Sequence, residues 1–169
     1  MNCFYKPLAV AFFYLMTGCQ SQAEQTYWLT HIAAPIKPPA TIHPYLENPA
    51  NRTADVAAIT VSSEKIVFNG EWCDYQIEKI KPFKMDRLLA DLIDDMGGRK
   101  SLDAFLSNKL KTAIVDWKDE LTIKQSTKQI DESPCKLLQG SSIYRGKNEL
   151  ILWDTTYFYR FKLGADFKY

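Results

Sequence analysis

The chain is poor in the residues that carry catalysis and metal binding. It has two histidines, His31 and His43, twelve positions apart with no cysteine near either. Two imidazoles so placed do not supply the ligand set of a zinc site, so no metal and no cofactor is expected. No G-x-S-x-G elbow occurs, and no other pattern sets a nucleophile beside a base and its orienting partner. Neither sign of charge dominates, since 21 Lys and Arg face 20 Asp and Glu. That balance argues against nucleic acid, or an anionic membrane face, as the main partner. Beyond residue 18 there is no apolar run long enough to span a bilayer.

What is present begins at the N-terminus. Lys6 precedes an apolar run from Leu8 to Met16, then the small residues Thr17 and Gly18, then Cys19. A basic start, a short apolar stretch and small residues before a cut are the three parts of an export signal, and the stretch falls short of the roughly 20 residues a spanning helix needs. Leu15-Met16-Thr17-Gly18-Cys19 resembles the lipobox of the bacterial lipoproteins. It departs at one step, with Met16 rather than leucine three before the cysteine. The resemblance covers residues 1–20. It implies loss of residues 1–18 as a signal peptide, acyl chains on Cys19, and attachment to a membrane through that lipid. Several acyl chains on one residue anchor stably where a single chain is marginal. Gln20, where an aspartate would imply inner-membrane retention, implies the periplasmic face of the outer membrane.

Four cysteines are present. Under this reading Cys3 leaves with the signal and Cys19 carries lipid, so Cys73 and Cys135 remain in an oxidising compartment. The simplest arrangement is one disulfide between them. It would close a loop of roughly 60 residues, worth on the order of 4 kcal/mol in the chain-entropy model. Two buried free thiols are the alternative.

Residues 19–26 read as a lipidated polar tether, and residues 27–169 as one α+β domain. Tyr27–Ile32 alternates as a first strand. Five of the eight prolines fall between Pro35 and Pro49, so 35–49 is extended loop, able to wrap over the domain. Ile59-Thr60-Val61 and Ile66-Val67-Phe68 flank a polar quartet across which the apolar parity resets, as in a hairpin. A strand with one apolar face follows Asn69-Gly70 and ends at Pro82.

Met85, Leu88, Leu89, Leu92 and Met96 share one helical face. Gly97-Gly98 ends that helix, and Ser101 is placed to N-cap a second, whose apolar stripe runs from Leu102 to Trp117. The remainder is β: a strand through Leu121 and Ile123, short candidates at Lys136–Gln139 and Ser142–Tyr144, a turn at Arg145–Asn148, a strongly apolar strand Glu149–Trp153, and a last strand from Tyr157. The expected fold is a curved antiparallel sheet or small barrel of about six to eight strands, with an inserted pair of amphipathic helices.

Candidate binding residues come from the last quarter of the chain. Tyr157, Tyr159 and Phe161 are expected to fill the core. Phe158 then points outward beside Arg160, as an aromatic hot spot, or lies under the helical pair. Gly140-Ser141-Ser142-Ile143-Tyr144-Arg145-Gly146 resembles a loop of the membrane-bound inhibitors of C-type lysozyme, small lipoprotein barrels whose Ser-Gly-x-x-Tyr-like loop enters the enzyme's cleft. This chain inverts the Ser-Gly order, is longer, adds two helices and lacks that family's second motif. The resemblance implies partner contacts at Ser142 and Tyr144, with Arg145 beside them. Carboxylates at Asp91, Asp94 and Asp95, and at Asp116, Asp119 and Glu120, mostly fall off the apolar faces and read as solvated surface. So do Lys79, Lys81, Lys84 and Arg87.

The expected function is a non-enzymatic, protein-binding lipoprotein, either an envelope complex component or an inhibitor of a hydrolase. Carriage of a small apolar ligand in a lipocalin-like barrel, and action on envelope glycan through paired acids, are the alternatives.

Overall fold

The computed structural model describes residues 24–42, 44–45, 58–68, 71–125 and 137–164. Eight antiparallel strands, each paired with its neighbour in sequence, close into a barrel as the last pairs with the first. They are β1 (Gln25–Ala33), β2 (Ala58–Val61), β3 (Lys65–Phe68), β4 (Glu71–Pro82), β5 (Trp117–Gln125), β6 (Ser142–Gly146), β7 (Glu149–Trp153) and β8 (Phe158–Leu163). Among the described residues, closure leaves no edge strand to template aggregation. Two helices, α1 (Arg87–Asp95) and α2 (Arg99–Phe105), lie between β4 and β5 in the chain.

The first two strands and the β2–β3 hairpin lie where the alternation predicts. β1 starts earlier than expected, at Gln25, so the last two residues of the predicted tether belong to the sheet. There the Thr26 and Thr60 hydroxyls bond across β1 and β2 at 2.8 Å, and the strand pairs with both β2 and β8.

The helical region is shorter than its apolar periodicity. Asp86 caps α1, its carboxylate accepting from Leu89 N at 2.8 Å. Gly97 and Gly98 both stand at positive φ, +80° and +113°, and Gly98 itself is the N-cap of α2. The tight glycine turn therefore starts α2 before Ser101, which lies within the helix. The chain then widens into a π-helical turn at Leu106–Leu110 and reverses at Lys111, which is left-handed. Trp117 ends up in β5 rather than on the second helix.

A further correction concerns Lys136–Gln139. Leu137–Gly140 is a tight turn, with Gly140 at φ +83°, that buries Leu137 and Leu138 in the core. The turn expected at Arg145–Asn148 contracts to Lys147 and Asn148, because Arg145 and Gly146 stay in β6.

Two apolar clusters result. Tyr27, Ile59, Ile66, Phe68, Leu150, Leu152, Tyr159 and Phe161 fill the barrel interior, all at most 1 % exposed. The second cluster lies on the outer wall under the helices. Leu89, Leu102, Leu106 and Leu110 pack there against Trp117, Tyr144, Ile151, Trp153 and Phe158. β7 is consequently buried at every position.

Candidate functional site

The alternating strands give the barrel two unlike ends. The near end carries the start of β1, the β2–β3 and β6–β7 turns, and the joints to the helical pair. The far end carries the proline-rich segment, the Leu137–Gly140 turn and the β7–β8 turn.

The far end is closed by a polar knot. Asp154 Oδ1 accepts from Thr156 N at 2.9 Å and Tyr157 N at 2.6 Å, and its Oδ2 accepts the Tyr159 hydroxyl at 2.8 Å. Tyr159 in turn accepts from Tyr45 N at 2.9 Å, and Tyr157 donates to the Ile42 carbonyl at 2.7 Å. Two tyrosines thus strap the described part of the proline-rich segment across the barrel, and Pro44 is buried beneath it. Burial raises the Tyr159 phenol well above its ordinary value, and the neighbouring Asp154 carboxylate adds to the shift. Beside the knot, a cleft of 260 Å³ opens between β5 and the Leu137–Gly140 turn, with Tyr75, Glu120, Gln139 and Ser142 on its walls.

The near end is charged. Inside its mouth Arg145 donates from Nη2 to Asp119 at 2.8 Å, next to Tyr27 and Lys147, around a cavity of 340 Å³. Outside the wall runs a larger groove of 540 Å³, with Lys118, Lys147 and Lys162 along it and Val115 at its lip. A buried ion pair forms its floor. Arg160 donates to Glu149 Oε2 through Nε and Nη2, both at 2.8 Å, and the Thr112 hydroxyl donates to Glu149 Oε1. The two side chains are only 7 % and 9 % exposed, so each charge depends on the other. Gly146 is required here, since a Cβ would come within 2.9 Å of the Asp116 carbonyl and of Glu149 Cγ. His31 sits across from Arg160 in the β1–β8 register. Its pKa is lowered from 6.5, first by burial and then by Arg160, Lys162 and Lys111.

The sequence-derived candidates do not form one surface. Residues 140–146 are not a free loop, because β6 carries them along the wall from the far end to the near end. Ser142 remains half-exposed in the far cleft, and Arg145 reaches the near mouth. Tyr144 is 1 % exposed, stacked on Trp117 with centroids 4.7 Å apart and planes at 7°. Burial raises its phenol well above the ordinary value, while the Ser142 hydroxyl pulls the other way. It is not free to enter a partner's cleft. Phe158 is fully buried, stacked on Trp153 at 5.3 Å. The outward-facing expectation for it is corrected: the outer wall there is covered by the helical pair, not by water. Tyr157, Tyr159 and Phe161 fill the core as expected.

Of the clustered acids, Glu120 lines the far cleft and Asp116 the outer groove. Asp91, Asp94 and Asp95 are exposed on α1, and Asp119 is engaged by Arg145. Among the described residues no three His, Cys, Asp or Glu side chains gather in metal-binding geometry. Cys73 lies in β4. Cys135, Cys19, His43 and the whole leader lie outside the described residues. No protein-family model matches the chain, and neither a curated protein nor a solved structure matches it.

Proposed function

We propose that the chain is a lipid-anchored binding module of the outer membrane, facing the periplasm, that performs no chemistry and engages an envelope protein through the far end of its barrel. The observation that carries this reading is the position of Gln25. β1 begins there, at the near end, six residues after the Cys19 that the lipobox marks. Six extended residues reach about 20 Å at most. An acylated Cys19 would hold the near end at the bilayer and turn the far end outward, with Ser142 and the exposed Thr155 upon it. The partner is a component of an envelope complex or a hydrolase that the module inhibits. Filling of the interior by the barrel's own side chains favours this reading over apolar-ligand carriage. Exposure of the α1 acids favours it over glycan hydrolysis.

A photo-crosslinking residue at Ser142 or Thr155, in intact cells, is expected to capture a discrete envelope protein that one at the exposed Lys109 does not. Identical adducts from all three positions would sink the far-end assignment. Fatty-acid labelling that survives Cys19→Ser would sink the anchor.

A further inference from the structure

We infer that the near end of the barrel is a membrane-contact face, whose lysine-lined groove seats the phosphate of an anionic lipid headgroup. The inference rests on the lipid-anchor reading for its orientation and on the groove's own chemistry for its ligand. Charge over the whole chain is balanced, and this end also carries the exposed Glu24 and Glu64 on the β1 and β2 side, but within the outer groove it is not balanced. Glu149 is held by Arg160 and Thr112, Asp119 by Arg145, and Asp86 by the α1 backbone. Among the groove's walls that leaves Asp116 facing the exposed Lys118, Lys147 and Lys162. The register sets Lys162 opposite Glu149, so the lysines of the β6–β7 turn and of β8 converge on one groove although distant in sequence.

Apolar tips surround these cations. Val115 is 84 % exposed at the groove's lip, on a single helical turn whose neighbour Ile114 is buried. Phe83 N donates to the Lys118 carbonyl at 2.7 Å. That bond brings the segment carrying the exposed Lys84 and Met85 alongside the same strand start. Exposed aliphatic side chains among lysines suit an interface where apolar tips enter the acyl boundary and ammonium groups meet phosphate.

The test uses the full chain carrying Cys19→Ser, so that its outcome is independent of acylation. Co-sedimentation compares vesicles of phosphatidylcholine with vesicles that also contain phosphatidylglycerol. The N-terminal segment with Lys6 is common to every variant, so the comparison between variants removes what it adds to the preference. The chain is expected to prefer the anionic vesicles, and Lys147→Gln with Lys162→Gln to reduce that preference about 30-fold. Lys37→Gln with Lys124→Gln, which removes the same charge from exposed sites at the far end, is expected to leave it intact. Equal losses from both pairs, or no preference in the parent, overturn the inference. Lysine-dependent binding of inorganic phosphate, measured by calorimetry, with no lysine-dependent preference for the anionic vesicles identifies a free-anion site and overturns the headgroup assignment. Loss of the anchor reading through Cys19 labelling, with the lysine-dependent preference intact, leaves the groove's ligand standing and removes only the tether.

Discussion

The Arg160–Glu149 pair fixes the chemistry of the outer wall. Both charges are out of water, so each is tolerable only while the other is present. Arg160→Met alone is expected to cost about 3–5 kcal/mol by leaving an unpaired buried carboxylate, and Arg160→Met with Glu149→Leu to recover most of that. Urea unfolding of the parent, Arg160→Met, Glu149→Leu and the double variant measures it, and additive losses would remove the coupling. His31 adds a pH dependence. Its folded pKa lies below 6.5, so the unfolded chain takes up a proton that the folded chain refuses. The stability contributed by neutral His31 is whole above 6.5 and is lost as pH falls through 6.5 toward the folded value. The urea midpoint of the parent should therefore drop between about pH 7.5 and about pH 5.5 by more than that of His31→Gln.

Helices and strands divide the work of burial. A strand with alternate apolar positions ordinarily faces water on one side, and the alternation of β8 alone leaves both placements of Phe158 open. β7 held the contrary signal. Leu150 to Trp153 is apolar at every position, which marks a strand covered on both faces, and β7 pairs directly with β8. Carried across the hairpin, that signal decides between the two placements open for Phe158 in favour of the one under the helices, and it leaves Arg160 in need of a buried partner. Most strands and the body of the first helix are legible because period-2 and period-3.6 patterns are local, although Met85 lies before the Asp86 cap and Leu88, expected on the apolar face, is exposed. The lysine groove was not, since Lys118, Lys147 and Lys162 meet only through barrel register. Ser101 misled for a local reason, because two glycines at positive φ turn the chain before a side-chain cap is needed. Phe158→Ala is expected to lower stability by about 3–5 kcal/mol, whereas Asp86→Ala, which removes only the α1 cap, should cost about 1 kcal/mol. Similar losses from both would mean that the helical pair is not seated on β8.

The molecule as a whole is a plugged barrel with a polar strap at one end and a cationic groove at the other. Among the described residues, side chains fill the interior between the ends and leave a cavity at the near mouth, which favours recognition at the ends over carriage. Under the proposed function, a tether joining at Gln25 would give those ends opposite duties, membrane below and partner above. A fluorophore attached at Lys147 in one sample and at Thr155 in another, with the acylated chain bound to vesicles bearing a lipid-linked quencher, reads this orientation directly. Strong quenching at Lys147 and little at Thr155 is the expected outcome. Quenching of Thr155 equal to or greater than that of Lys147 would mean that the barrel does not stand on its near end.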